Sequence, residues 1–294
     1  MALIDPRTKY PAEFPKEDRQ ENPGLDVAMT TEPDLGLSTY KGSGKLAGRR
    51  ALITGGDSGI GAATAIAFAR EGADVAIAYL PEEQEDADRI IAAIEEAGQK
   101  AVGIPGDLTD RETCRTTVER AVEELGGLDL LVNNASRQVY NEGLLDISDE
   151  DFDATMKTNI YSAFYVTKQA VPHMPPGSSI IFSTSIQAYD PSQPLLDYAI
   201  TKAAFNNFAK GLSGELLKEK GIRVNAVAPG PIWTVIQPAE GQPQEKVDKF
   251  GQDSDMGRPG QPAELAGAYV FLASEDASYI SGETLAVTGG RLTP

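Results

Sequence analysis

The sequence holds a single cysteine, Cys114, and a single histidine, His173. One thiol excludes an intrachain disulfide and a cysteine-based metal centre. The run Arg111-Glu112-Thr113-Cys114-Arg115 reads as helix, which makes Cys114 a structural thiol rather than a nucleophile. A histidine-dependent triad or zinc site would have to use His173. That residue sits between Pro172 and Met174-Pro175-Pro176, in a loop near a helix end, so no metal site is expected. No apolar run approaches the ~18–20 residues that span a bilayer. Met1 to Lys9 carries neither an apolar core nor a cleavage pattern. The expected setting is cytoplasmic, with no membrane association. Positive charge is scarce too: 26 Lys and Arg against 44 Asp and Glu leave a net charge of −18. Such a chain repels nucleic-acid phosphates and anionic membranes and suits small-molecule chemistry.

What is present divides into two parts. Residues 1–45 carry Pro6, Pro11, Pro15, Pro23 and Pro33 with many charges and no sustained period. They read as an extended arm, either disordered or lying on a neighbouring surface, with Tyr10 and Phe14 as candidate anchors. From residue 46 to 294, short apolar runs alternate with helical stretches. Strands are expected at Ala51–Thr54, Asp74–Leu80, Ala101–Pro105, Leu128–Asn133, Ser179–Ser183, Arg223–Ala228 and Thr284–Thr288. Helices are expected at Gly59–Glu71, Gln84–Ala97, Asp110–Leu125, Asp149–Val171, Tyr198–Glu219 and Pro262–Ala273. This alternation implies βαβ units: an α/β fold with one doubly wound parallel sheet and helices on both faces. Ligands bind such sheets beyond the carboxyl ends of the strands, so the residues there are the ones to read for chemistry.

The first such end is Thr54-Gly55-Gly56-Asp57-Ser58-Gly59-Ile60-Gly61. Glycines 55, 59 and 61 let backbone pass close to a pyrophosphate, and the helix that follows offers free N–H groups and a positive partial charge. The context, strand then turn then helix, is the one a dinucleotide site requires. Further on, Ser185, Tyr198 and Lys202 fall in the pattern S-x12-Y-x3-K. Tyr198 and Lys202 share one helix face a turn apart. A free tyrosine, with a pKa of about 10, is too weak an acid for proton transfer at neutral pH. A nearby ammonium stabilises the phenolate, and an oxidised nicotinamide ring adds positive charge at the same place. Tyr198 is thereby expected to become acidic enough for general acid/base work. Ser183 competes with Ser185 for the serine position, and the spacing favours Ser185.

Together these motifs resemble the short-chain dehydrogenase/reductase family over about residues 46–290. The resemblance implies a Rossmann-type fold and an NAD(P)-dependent oxidoreductase acting on a small aldehyde, ketone, sugar or polyol. Within the family, the run Tyr79-Leu80-Pro81-Glu82-Glu83, the arm and Thr184–Tyr189 resemble glucose/ribitol-dehydrogenase-like and aldehyde reductase-like members. The resemblance assigns proton transfer to Tyr198, a hydrogen bond to the substrate oxygen to Ser185, and the nicotinamide ribose to Lys202. Asn159 takes the part of the helix asparagine that positions a relay water. Asp107 and Leu108 are implied at the adenine. Asn134, Ala135 and Ser136 stand where the family has N-A-G. Pro229, Gly230, Ile232 and Thr234 stand at the carboxamide loop.

NAD and NADP both remain open. The second strand ends Ala78-Tyr79-Leu80 with no carboxylate, and Ser58 replaces a basic residue. Asp57 and Glu82 are nearby negative charges, and a relaxed preference is expected. Arg137, Gln138, Gln187, Tyr189 and Trp233 are pocket candidates, and Val235–Met256 is a candidate lid. A homotetramer is implied by analogy. The competing readings are a non-catalytic dinucleotide-binding sensor or assembly module, which would have lost Tyr198 or Lys202, and an acyl-chain reductase. The acidic carrier protein typical of an acyl-chain reductase would be repelled by this charge.

Overall fold

A computed structural model describes residues 3–291. Seven parallel strands run β1 (Arg50–Thr54), β2 (Asp74–Tyr79), β3 (Ala101–Pro105), β4 (Leu130–Asn133), β5 (Ser179–Ser183), β6 (Arg223–Pro229) and β7 (Thr284–Val287). They form one sheet in the order β3-β2-β1-β4-β5-β6-β7. The strands are apolar on both faces because helices cover both. Ile53, Val75, Ile77 and Val132 pack toward α1 (Gly59–Arg70) and α7 (Pro262–Ala273). Leu52, Ala76, Ala78 and Leu131 point the other way, into a second core. That core holds α3 (Arg111–Leu125), α5 (Ser162–Ala170) and α6 (Leu196–Lys220). Helix α2 (Gln84–Glu96) crosses between β2 and β3 on the α1 face. The doubly wound parallel sheet is therefore as expected.

The chain reverses its direction of travel across the sheet between β1 and β4, which are neighbours. A crevice opens beyond their carboxyl ends at such a switch point. Thr54 and Asn133, the last residues of these strands, thus fix where a ligand sits.

The expected helix Asp149–Val171 is interrupted. It is α4 (Asp149–Met156), then one wide π turn over Lys157–Tyr161, then α5. A π turn inserts one extra residue into the helical ladder and is frequent at functional sites. Asn159 lies in the middle of it.

Residues 3–45 lie along the surface of the sheet domain. Phe14 stacks on Trp233 with ring centroids 3.9 Å apart. Trp233 Nε1 donates to the Thr31 carbonyl at 2.8 Å. The Tyr10 hydroxyl donates to Asp34 and the Tyr40 hydroxyl to Glu71, each at 2.6 Å. Cys114 is buried with its Sγ 3.1 Å from the Leu108 carbonyl, and burial pushes the thiol up to about 12. It is inert, as a structural thiol should be. His173 is exposed in a single 3-10 turn (Val171–His173). Among the described residues no helix is long and apolar enough to cross a membrane.

Candidate active site

A cavity of about 910 Å³ opens over the β1/β4 switch point. Every site residue nominated from the sequence lines it except Gly61, Glu82, Asn159, Tyr189 and Trp233. At its floor the glycine turn and the β4 turn are locked together. Thr54 Oγ1 accepts from the N–H of Asn134 at 3.0 Å and of Ala135 at 3.1 Å. Asn134 Nδ2 donates to the Gly55 carbonyl at 2.9 Å. A Cβ on Gly61 would sit 1.8 Å from the Gly55 oxygen, and one on Gly55 would be 3.0 Å from Ala135 Cα. The turn therefore exists only with glycine at these positions, and Gly61 acts beneath the cavity rather than in its wall. The first helical bond of α1 runs from Ala62 N–H to the Ser58 carbonyl at 3.0 Å. The N–H groups of Ile60 and Gly61 thus have no partner within the helix and are available to a phosphate.

The opposite wall carries the catalytic candidates. Tyr198 and Lys202, one turn apart on α6, are both buried. Lys202 Nζ lies 5.2 Å from the centre of the Tyr198 ring and donates to the Ser183 carbonyl at 2.9 Å. The Ser185 hydroxyl hydrogen-bonds the Tyr198 phenol and pulls its pKa down, but burial dominates and pushes Tyr198 up to about 12. Burial drives Lys202 the other way, down to about 7. Desolvation disfavours both the phenolate and the ammonium, and the acidified phenol expected from the sequence also calls for the positive charge of an oxidised nicotinamide.

The two serines separate cleanly. Ser183 Oγ donates to Asn134 Oδ1 at 3.0 Å and lies 2.7 Å from the Tyr269 hydroxyl, a buried structural network. Ser185 caps the one-turn helix Ile186–Ala188, accepting from the Gln187 N–H at 3.1 Å, and faces the cavity beside Tyr198.

Asn159 is wholly buried and spends its side chain on neighbours. Its Oδ1 accepts from Arg137 N–H at 2.7 Å, and its Nδ2 donates to the Arg137 carbonyl and to Thr201 Oγ1, each at 3.0 Å. Thr201 Oγ1 in turn donates to the Tyr198 carbonyl at 2.7 Å. The side chain thus braces the β4 turn against the helix that carries Tyr198.

At the other end, beyond β2 and β3, Tyr79, Asp107 and Leu108 line the cavity with Asp57 and Glu83. Asp57 is almost completely buried, and neither of its carboxylate oxygens has a hydrogen-bond partner. Burial first, and the Glu83 charge second, raise it well above the usual carboxylate range. Burial lifts Glu83 to about 7. The acid facing the cavity here is Glu83. Glu82, nominated from the sequence, is exposed outside it. Glu83 turns back to accept from the Leu80 N–H at 2.8 Å, and this bond closes the turn after β2 and fixes its position.

Two pocket candidates fall elsewhere. Trp233 is fully buried under Phe14, where its size suits an apolar anchor. Tyr189 is half-buried outside the cavity. Gln138, Gln187 and Arg137 do line it. Gln138 Nε2 donates to the Gly241 carbonyl at 3.0 Å, tying the wall to the lid. Arg137 pairs with Asp151 at 2.6 Å. The sequence reading missed Asn22 and Pro23 of the arm, which also line the cavity. No local motif marks them, because only tertiary packing brings the arm there.

The glycine cradle, the free helix N–H groups and the orphaned Asp57 carboxyl, which can meet ribose hydroxyls, fit an adenine dinucleotide. Comparison with known proteins agrees. Residues 55–291 match a family model described as enoyl-(acyl carrier protein) reductase. An uncharacterized oxidoreductase, YghA, of Escherichia coli is 53% identical over 98% of both chains. The chloroplastic NADPH-dependent aldehyde reductase 1 of Arabidopsis thaliana is 42% identical over 94% of this chain and 97% of that one. A short-chain dehydrogenase from Burkholderia cenocepacia, solved in complex with NADP, superposes with a TM-score of 0.78 at 35% identity. That match covers 84% of this chain and 98% of the other. The chain belongs to the short-chain dehydrogenase/reductase family and is an NAD(P)-dependent oxidoreductase.

Proposed function

We propose that this enzyme interconverts a small aldehyde, ketone or sugar carbonyl and its alcohol, with Tyr198 as the proton-transferring group. The observation that carries this reading is the placement of Ser185, Tyr198 and Lys202 on one wall of the cavity whose floor is the glycine turn. The nicotinamide, when bound, supplies or accepts the hydride. The protein's task is then to hold the substrate oxygen and move one proton at it. Ser185 and Tyr198 both line the cavity, and in this reading the serine hydroxyl holds the substrate oxygen while the tyrosine hydroxyl gives its proton to that oxygen as the carbonyl is reduced. A phenol held near 12 is fully protonated at neutral pH, and it is still a stronger acid than an alcohol. This state favours reduction. Lys202 restores the proton's driving force when it is charged, and its position beneath Tyr198 suits a ribose hydroxyl as well. Asn159 serves as a positioning residue, holding Arg137 and α6 in register.

The pocket end formed by Gln138, Gln187 and Leu195 offers amide groups to substrate hydroxyls and one apolar surface, which suits a short polar carbonyl compound. The relative named as an aldehyde reductase supports this class. The family model's description names a reductase of carrier-bound acyl chains. A net charge of −18 opposes docking of an acidic carrier, so the small carbonyl is the better reading. We further place the enzyme in the cytoplasm as a homotetramer. The acidic surface and the buried, reduced cysteine suit that compartment. The groove between α5 and α6, lined by Tyr161, Phe164, Tyr165 and Phe208, leaves Tyr161 and Phe164 nearly half exposed, an apolar face suited to a second subunit. A panel of aldehydes, ketones, sugars and polyols, assayed with NADH, NADPH and their oxidised forms, tests the assignment. Turnover of short carbonyl compounds is expected, and activity confined to enoyl thioesters would overturn it.

A further inference from the structure

The arm runs beneath the lid in antiparallel order. Gln252 Nε2 donates to the Ala12 carbonyl at 3.0 Å, Gln244 Nε2 donates to the Glu17 carbonyl, and Gln20 N–H donates to the Pro238 carbonyl at 3.2 Å. A Cβ on Gly24 would lie 2.8 Å from Val235 Cγ2 and 2.9 Å from Ala239 Cβ, so the arm touches the lid's first turn directly. Two residues later the arm meets the cofactor turn. Asp26 is fully buried, and its Oδ2 accepts from the Gly59 N–H at 2.9 Å, at the start of α1. The backbone around it is fixed in turn. The N–H groups of Asp26 and Val27 donate to the two oxygens of Asp86 on α2, at 2.6 and 3.0 Å. One carboxylate thus fastens the segment under the lid to the glycine that opens the phosphate-binding helix. A carboxylate at that helix end is favoured by the helix dipole.

We propose that Asp26 is a positioning residue that couples the cofactor turn to the lid through the arm. Dinucleotide seated on the turn fixes Gly59. Gly59 fixes Asp26, and the arm from Gly24 back to Ala12 fixes the height of residues 235–252 over the substrate end. By linkage, an ordered lid strengthens dinucleotide binding by the same factor. The arm is in this sense a wall of the active site, which Asn22 and Pro23 also show by lining the cavity. The inference rests on the oxidoreductase reading for the meaning of the lid, but not for its test.

The test uses the full chain and two variants. Asp26→Asn keeps the shape and replaces the carboxyl that Gly59 faces, lifted by burial to about 7, with an amide that never ionises. Gly24→Ala inserts a methyl against Val235 and Ala239 without touching Asp26 or the turn. NADH binding is read by fluorescence, and hydrogen exchange of the 235–252 amides is read with and without saturating NADH. In the native protein, NADH slows exchange of the lid. In Asp26→Asn the NADH Kd rises about tenfold, as for loss of one charge-assisted hydrogen bond, and the NADH effect on lid exchange is lost. In Gly24→Ala lid exchange rises and the lid no longer responds fully to NADH, while the protein stays folded. With the best carbonyl substrate, both variants raise KM more than they lower kcat. A lid in Asp26→Asn that responds to NADH as in the native protein would overturn the proposal. So would a Gly24→Ala lid that exchanges as the native one does, a result still decisive if Asp26→Asn fails to fold. A purely structural role for Asp26 would lower the folded fraction and leave the Kd and the lid response of the folded molecules unchanged. Neither binding nor exchange needs turnover, so a misassigned substrate would not be mistaken for failure of this coupling.

Discussion

Replacing Lys202 by methionine should abolish turnover and make the protein more stable at neutral pH. Lys202 is buried, and burial takes its pKa from 10.5 down to about 7. An unfolded lysine stays protonated up to its usual pKa, so between these two values the unfolded chain binds more protons than the folded one. The native protein therefore gains stability as pH rises through that window and loses it as pH falls toward 7. At pH 7 the shift corresponds to a cost of at most about 4 kcal/mol for keeping a lysine there. Methionine fills a similar volume without the charge. It forfeits the hydrogen bond from Nζ to the Ser183 carbonyl, worth roughly 1–2 kcal/mol. The net gain is about 1–3 kcal/mol, or roughly 2–6 °C in Tm. Differential scanning calorimetry of both proteins at about pH 7 and about pH 9.5 reads this, because the groups they share cancel in the difference. The advantage of Lys202→Met should shrink as pH rises. A variant less stable than the native protein at pH 7, or a difference that does not change with pH, would show that the lysine stays charged in the folded state. The argument that burial dominates this site would then fail.

Other consequences follow from the same geometry. Ser185→Ala should lower kcat by about a hundredfold with little loss of stability. Ser183→Ala should do the reverse, costing about 1–3 kcal/mol because Asn134 and Tyr269 lose a buried partner; steady-state kinetics and thermal melts of the pair check the division. Phe14→Ala removes the ring stacked on Trp233 and should cost about 3 kcal/mol, read as a lower denaturation midpoint; an unchanged midpoint would mean the arm is not part of the folded unit. The cavity end that holds Asp57 and Glu83 should turn against NADPH as pH rises. Both carboxyls have raised pKa values, Glu83 to about 7, with Asp26 and Asp86 adding to the local negative charge. Below neutrality Glu83 is largely protonated and tolerates a 2′-phosphate, and above neutrality it is charged and repels one. The ratio of NADPH to NADH Kd should grow severalfold from about pH 6 to about pH 8.5, and a flat ratio would refute this.

The sheet was legible because both of its signals are local. Apolar runs such as Ala51-Leu52-Ile53 mark strands buried on two faces, and the glycine turn marks the first strand's end. The parallel direction of the strands followed from the alternation of strands with helices, whereas their order was seen only in the structure. That Tyr198 and Lys202 share one wall of the cavity was legible through spacing, since they lie a turn apart on one helix. What escaped was whatever depends on contacts distant in sequence. Nothing in Lys157–Tyr161 marks a π turn, and the partners of the Asn159 at its centre, Arg137 and Thr201, are distant in sequence. Trp233 follows the carboxamide loop and so invites a pocket role, yet it is claimed by Phe14, more than two hundred residues earlier. Glu82 and Glu83 are indistinguishable in composition; only the turn that returns Glu83 to Leu80 selects which one meets the cavity. The arm has no periodicity because it forms no layer of its own. Its anchors Phe14, Asp26 and Tyr40 answer to Trp233, Gly59 and Glu71, residues distant in sequence.

In the proposed reaction the Tyr198 hydroxyl transfers the proton. Tyr198→Phe removes that one oxygen and leaves the ring, the lysine beneath it and the glycine turn in place. Single-turnover hydride transfer measured with prebound NADH or NADPH should fall by about 10²–10⁴-fold, while the dinucleotide Kd stays within about twofold of the native value. Hydride transfer at the native rate in that variant would contradict the account.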